Sequence, residues 1–438
     1  MKNTIKEIIY SAADLIKGSF PYEVYSDICI YLIFLKYILD NEKMPYDKTS
    51  FELQRMFDRA ELNEEALINA SISLEKQYEF PQNSLVDLAQ MYIRFNKTKV
   101  LNNLSEINFK KQGKEIVKAL KEMLYLSAKH FGRIMSDKMT SKPLSNLIKE
   151  LIDIGYKDHY ADFMYGMGIS TLEIVGDEKC CITGYERERS SIAAAKMLLI
   201  ISERRDVELI LGDVLDIKIP ENSFDKIVTM PPLGVRVKEF SPASIKLLDK
   251  FCLPKKPLKM DSLILLKAIT ALKERGTAII SVTPNFLSSI AVMDKAVRKL
   301  IVEKYLKAVI QLPNLYYGTG VLPILLVIEK SRQTNDVLFI NAETNEFFDF
   351  FGKSYGPVAN LTREGIVKIK ELYQTKKSEE GISYVATTET IKENNFLLTL
   401  AKYVKVKRKR EVISNQEIDI RLRELYSELK EILGREDF

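Results

Sequence analysis

Between about residues 158 and 345, short β-branched or aromatic runs alternate with stretches of helical periodicity, and this alternation limits the fold more than any other feature. The strand candidates are 159–164, 180–185, 208–211, 226–230, 277–282, 307–312, 322–328 and 337–340, with helical spacing at 190–201, 261–274 and 293–303. Strand, helix and strand in succession read as βαβ units, which bury a largely parallel sheet under helices on both faces. The α/β part is placed at residues 136–345.

The flanks have a different pattern. Residues 1–135 carry few breakers, and Val24, Ile28, Tyr31, Leu32, Leu35 and Leu39 share one helical face, which predicts a helical N-terminal domain. Residues 346–438 read as a charged helical extension. It contains a basic run of Lys402, Lys405, Lys407, Arg408, Lys409 and Arg410 with no acid among them, either a solvated face or a phosphate-contacting segment. After it, Ile418, Leu422, Leu425, Leu429 and Ile432 repeat at alternating spacings of 4 and 3, a stripe that wants a partner helix. The chain's net charge of only +5 does not by itself indicate a nucleic-acid partner.

Composition excludes several classes. With 46% hydrophobic and 29% charged residues the chain reads as an ordinary globular protein. Cys29, Cys180, Cys181 and Cys252 are too scattered for a disulfide framework, no C-x-x-C pair suggests zinc, and a reducing cytoplasm is the expected location. His130 and His159 are the only histidines and receive no catalytic or metal role. The longest apolar runs stop at eight residues, so no membrane span is expected, and the N-terminal stretch lacks the apolar core of a signal peptide.

The chemistry is concentrated at four strand ends. Asp162 opens a turn containing Gly166 and Gly168 directly before a helix, where glycines allow backbone to approach a ligand closely. The second strand ends in Gly184-Tyr185-Glu186, placing a carboxylate where two ribose hydroxyls would donate to it. The third ends in Gly212-Asp213, suited to an adenine amino group, and the fourth in Met230-Pro231-Pro232-Leu233. A tight turn and strand-end capping account for each feature singly. Their succession on one sheet edge points to a ligand, because open α/β sheets bind beyond the carboxyl ends of their strands.

This succession resembles the Rossmann-like, class I S-adenosylmethionine-dependent methyltransferases that act on the adenine amino group of DNA. More narrowly, the chain resembles the modification (M) subunit of type I restriction-modification systems. Residues Ile33-Phe34-Leu35-Lys36-Tyr37-Ile38-Leu39-Asp40 are similar to an FLKYISD-like helix of that family, and Ala195-Lys196-Met197 to the helix after its second strand. Val309-Ile310-Gln311-Leu312-Pro313, Tyr317-Gly318-Thr319-Gly320 and Ile324-Leu325-Leu326-Val327 are similar to its late strands and the loop between them. Asn394-Asn395-Phe396 and Ala401-Lys402-Tyr403-Val404 resemble its closing segment.

The resemblance implies a seven-stranded mixed sheet, S-adenosylmethionine as cofactor held by Asp162, Gly166, Gly168, Glu186 and Asp213, and an adenine flipped out of the duplex. It also implies DNA, a specificity (S) subunit, and a restriction subunit or second copy as partners. The family motif after strand four is Asn or Asp, Pro, Pro, then an aromatic. The acid or amide oxygen and the first prolyl carbonyl accept the two N–H bonds of the target amine, and the aromatic stacks on the base.

This chain departs from that pattern at the reacting end. Met230 is a very weak acceptor where the family has Asn or Asp, and Leu233 lacks the stacking face, worth about 1–3 kcal/mol per base. Phe163 replaces the turn's proline, Ile169 its third glycine, and Leu198 stands where many relatives carry Asn. The expectation is an M-subunit-like protein with reduced or lost catalysis; the alternative is a working adenine-N6 methyltransferase in which the Pro231 carbonyl and a neighbouring polar group orient the amine. Tyr316 and Tyr317 either pack or contact DNA or cofactor, with packing the simpler use.

Overall fold

The computed structural model describes residues 4–405 apart from 46, 96–97, 133–137, 233, 317–319 and 351–358, together with 419, 422, 423 and 425. Helices α1 (Ile5–Ile16), α2 (Tyr22–Asp40), α3 (Lys48–Arg59), α4 (Glu64–Gln77), α5 (Ser84–Phe95), α6 (Thr98–Ser105) and α7 (Phe109–Phe131) form the N-terminal region. Polar caps set several of their starts: Thr4 and Glu7 make a reciprocal capping box on α1, and Asn63 and Asn108 cap α4 and α7. The one-face reading of α2 was too narrow. Every residue from 25 to 38 is buried, so α2 is the axis of the helical region, and its Lys36 is neutralised one turn on by Asp40.

Helix α8 (Lys142–Ile152) leads into the α/β part. Its elements are β1 (His159–Asp162), α9 (Ile169–Val175), β2 (Cys181–Glu186), α10 (Arg189–Ile201), β3 (Val207–Leu211), β4 (Phe224–Thr229), the short pair β5 (Arg236–Val237) and β6 (Leu258–Lys259) around α11 (Pro242–Lys250), and α12 (Met260–Ala271). Then come β7 (Leu272–Val282), α13 (Pro284–Ser288), α14 (Val292–Lys304), β8 (Leu306–Gln311), β9 (Ile324–Glu329) and β10 (Asp336–Asn341). The C-terminal part holds α15 (Arg363–Thr375) and α16 (Thr388–Glu393).

All eight strand candidates are strands. The main sheet has the order β13 (Ser383–Thr387), β10, β8, β9, β7, β4, β1, β2, β3. Strands β3, β2, β1, β4 and β7 run parallel, while β9 lies antiparallel between β7 and β8. Those seven make the mixed sheet that the resemblance implies. Two more extend it: β10, parallel to β8, and β13 (Ser383–Thr387), antiparallel to β10. The sheet therefore has nine strands, not seven, and runs past residue 345. Strand β13 and the small pair β11 (Phe348–Phe350) and β12 (Ala359–Leu361) leave no clear mark in the sequence pattern because each is only three to five residues long.

Period-two alternation divides the core. Ala161, Ile227, Ala278 and Ile280 face a cluster with α12 and α14, whereas Tyr160, Ile182, Val228 and Ile279 face one with α8 and α15. A third cluster joins the N-terminal helices to Met167, Ile169, Ala193, Ala194, Met197 and Leu198, so the helical region is packed on α9 and α10 directly behind the glycine turn. Of the terminal stripe, Leu422 and Leu425 are helical and exposed; Ile418, Leu429 and Ile432 lie outside the described residues.

Candidate cofactor and base site

Register brings the three acids together at one edge. Asp162 pairs with Gly184, and Glu186 with Leu211, so Asp162 and Glu186 end β1 and β2 and Asp213 follows β3 by two residues, on three adjacent parallel strands whose axes are about 4.8 Å apart. Gly166 and Gly168 stand between them with φ of +55° and +75°, the left-handed conformation that favours glycine. Packing also requires them. A Cβ at Gly166 would lie 2.3 Å from the Lys138 carbonyl oxygen, and one at Gly168 would lie 2.2 Å from the ring of Tyr165. Tyr165 is itself buried and wedged against Gly184, whose Cβ would meet the ring at 2.3 Å.

The turn is tied up internally. The Gly166 N–H donates to Glu186 Oε2 (2.8 Å), Met167 N–H to the Lys138 carbonyl (3.1 Å) and Gly168 N–H to the Tyr165 carbonyl (2.9 Å). Glu186 Oε1 accepts from Glu188 N–H at 2.8 Å, and Asp213 Oδ1 accepts from Leu215 N–H at 2.9 Å. Asp162 is 5% exposed; its two oxygens accept from Met164 N–H (2.9 Å) and Thr171 Oγ1–H (2.8 Å). Burial pushes its carboxyl up to about 6 in spite of these two bonds.

Because the folded-state value exceeds the ordinary 3.8, folding takes up a proton between about pH 4 and pH 6, and Asp162 disfavours the fold progressively as pH rises through that window. Two units correspond to about 3 kcal/mol. Asp162→Asn is expected to stabilise the chain by about 1–3 kcal/mol at pH 8 and to change little at pH 4, read by urea unfolding at both values. Equal effects at the two pH values would refute it.

At the fourth strand end, β4 stops at Thr229, so Met230 lies just beyond it. Its side chain is half-buried and packs, with Tyr316, against the core on the α8 and α15 face. Pro231 is buried and Pro232 exposed; Leu233 lies outside the described residues. The Tyr316 hydroxyl is paired with Ser281 Oγ at 3.0 Å and its ring packs against the core; Tyr317 lies outside the described residues. Ile169 and Leu198 are turned into the cluster shared with the N-terminal helices. Among the described residues no group of His, Cys, Asp and Glu could hold a metal, and no helix is long and apolar enough to cross a membrane.

Residues 123–412 match the family N-6 DNA methylase. The chain belongs to that family. It is 25% identical over 337 residues to the type I restriction enzyme MpnII methylase subunit of Mycoplasma pneumoniae, covering 71% of this chain and 60% of that one. It is 29% identical over 319 residues to the MjaVII methylase subunit of Methanocaldococcus jannaschii, covering 66% and 52%. The chain thus spans roughly half to three fifths of the length of these curated relatives. In fold it is similar to the type I restriction-modification methyltransferase subunit from Streptococcus thermophilus, with a TM-score of 0.78, 19% identity, and coverage of 92% of this chain and 99% of that one.

For an N-6 DNA methylase the acceptors present fit the nucleoside half of S-adenosylmethionine. Glu186 and Asp213 each keep acceptor capacity on their carboxylates beyond the bonds described. The amino-acid half is less well provided, since Asp162 is buried whereas Glu186 and Asp213 are partly exposed. Sequence reasoning missed two residues that build this site. Thr171, inside α9, fixes Asp162, and Lys138 ties the turn to α2 through Asp27 (3.0 Å) and the Glu23 carbonyl (2.8 Å). The Lys138 and Asp27 pair joins residues 111 apart, and nothing in the local sequence marks it.

Proposed function

We propose that this chain is a modification-subunit component of a type I DNA restriction-modification or phage-defence complex in which adenine-N6 methyl transfer is reduced or lost. The observation that carries this reading is Met230: the first position of the base motif holds a thioether packed against the core instead of an oxygen acceptor. S-adenosylmethionine, when bound, supplies a sulfonium methyl group. Glu186 takes the ribose hydroxyls and Asp213 the adenine amino group, while the Pro231 carbonyl is left as one acceptor for the target amine. Loss of one oriented partner in such sites costs roughly 10²–10³ in rate.

The partners in this reading are DNA, a specificity subunit that reads the sequence, and a restriction subunit or second copy, all in the cytoplasm. Lys402 and Lys405, exposed on either side of the buried Tyr403 and Val404, contribute phosphate contacts together with Lys407, Arg408, Lys409 and Arg410, which lie outside the described residues.

Calorimetric titration separates the two halves of the cofactor. S-adenosylmethionine and adenosine are expected to bind within about tenfold of one another, because the contacts provided are to the nucleoside. A methyl-transfer assay on unmethylated genomic DNA, with the specificity subunit present, is expected to show turnover at least 10²-fold below about one per second. Turnover at about that rate or faster would overturn the reading of reduced catalysis.

A further inference from the structure

The excursion between the base motif and α12 is strongly basic. Residues 234–259 hold seven cations (Arg236, Lys238, Lys246, Lys250, Lys255, Lys256, Lys259) and two acids (Glu239, Asp249), a net +5 equal to the excess of the whole chain. Over the remaining residues the charges sum to zero, the basic run at 402–410 being offset by acids elsewhere. Two of the cations are paired, Lys250 with Glu221 at 2.6 Å and Lys255 with Asp249 at 3.0 Å, and Lys259 is buried. Arg236, Lys238, Lys246 and Lys256 are exposed, and among the described residues none of them forms an ion pair.

The segment is fixed in place over the site. Ser241 Oγ donates to the Leu215 carbonyl in the loop after β3 (3.3 Å), while at its other end the Lys259 ammonium donates to Thr283 Oγ1 (3.4 Å) and Asn285 Oδ1 beyond β7. It is held at the carboxyl ends of β3 and β7, the two strands that flank β2, β1 and β4 in the sheet. Arg236 stands on β5, which pairs antiparallel with β6, and Lys246 on α11, which Ser241 caps, while Lys238 and Lys256 lie in the adjoining loops. A desolvated ion pair would need acids opposite; an array of exposed, unpaired cations on one lip suits a polyanion with regularly spaced charges.

We infer that residues 234–259 form the surface that grips the phosphate backbone of duplex DNA beside the base motif, with Arg236, Lys238, Lys246 and Lys256 as its contacts. The inference deepens the DNA-modification reading and rests on it. The basic run at 402–405 is a less direct candidate for contacts at the base. It is anchored on β10, where Tyr403 stacks on Phe339 at 4.1 Å, and four strand spacings, roughly 19 Å, separate β10 from β4.

The test compares the full chain, in complex with its specificity subunit, with a variant carrying Arg236→Gln, Lys238→Gln, Lys246→Gln and Lys256→Gln. A control carries Lys157→Gln, Lys179→Gln, Arg275→Gln and Lys304→Gln, exposed cations at the opposite, amino ends of the strands. The probe is a fluorescent 30-base-pair duplex, titrated across a salt series, with thermal unfolding confirming that all three proteins are folded. The lip variant is expected to bind roughly 10²-fold more weakly at 0.1 M salt and to lose roughly 3–4 from the slope of log affinity against log salt. The control is expected to match wild type within about threefold. Undiminished affinity in the lip variant, or an equal loss in the control, would overturn the assignment and leave the DNA reading standing. A wild-type complex without affinity for duplex would overturn both. Retained DNA binding with lost association to the specificity subunit would assign the lip to a protein partner instead, and overturn the inference.

Discussion

Met230→Asn is expected to raise the rate of methyl transfer to DNA by roughly 10²–10³, with S-adenosylmethionine affinity unchanged. An oxygen acceptor at this position draws one amine hydrogen toward itself while the Pro231 carbonyl takes the other, so the nitrogen lone pair is aimed at the methyl carbon. That alignment is made only for the reacting geometry, so its recovery belongs in the rate and not in binding. The exchange has a structural cost. Met230 packs against the core face containing Val228 and Ile279, and replacing this half-buried thioether with an amide is expected to destabilise the fold by about 1–2 kcal/mol. Single-turnover methyl transfer by the complex, alongside urea unfolding, reads both effects. A folded, cofactor-binding Asn variant with no faster transfer would show that Met230 is not what limits the reaction.

The same motif shows what sequence could and could not reveal. The strands were legible because each is a short apolar run of β-branched residues between helical stretches, and the acids were legible because they end such runs at the spacing of βα units. The turn was legible as a turn but not as a packed one. Tyr165 filling the space that Gly168 and Gly184 leave, and Lys138 closing over Gly166, depend on contacts between segments that are not neighbours in the chain. The all-round burial of α2 was hidden for a related reason: periodicity marks the most apolar face, and polar residues such as Asp27 and Lys36 enter the core only because distant or one-turn partners neutralise them. Strand β13 shows tertiary context overriding local pattern, since a five-residue edge strand is stabilised by its pairing with β10 more than by its own composition.

Arg298→Met is expected to destabilise the chain by about 4 kcal/mol or more. Arg298 is 0% exposed, and its guanidinium donates to three backbone carbonyls: Phe396 (2.8 Å), Phe286 (2.6 Å) and Ser289 (2.5 Å). Burial pulls its pKa down and the buried Asp294 opposes that shift, so the charge is held by Asp294 and the carbonyls together. A methionine has similar length but no donor, and leaves three acceptors in the core at about 1–3 kcal/mol each. The carbonyl of Phe396 matters most, because Phe396 holds φ of +56°, a backbone state that bulky residues rarely adopt and that persists only when surroundings enforce it. Releasing it frees the segment that carries Leu398, bonded to the Leu287 carbonyl at 2.9 Å, and Tyr403, stacked on Phe339. Arg298→Lys, which keeps the charge and one or two of the three bonds, is expected to lose about half as much. Urea unfolding gives the totals, and hydrogen exchange at Leu398 and Val404 should accelerate in Arg298→Met well before global unfolding. Loss of less than about 1 kcal/mol in Arg298→Met, with protection at Leu398 intact, would mean that the segment is held by its apolar contacts alone and that the guanidinium is dispensable.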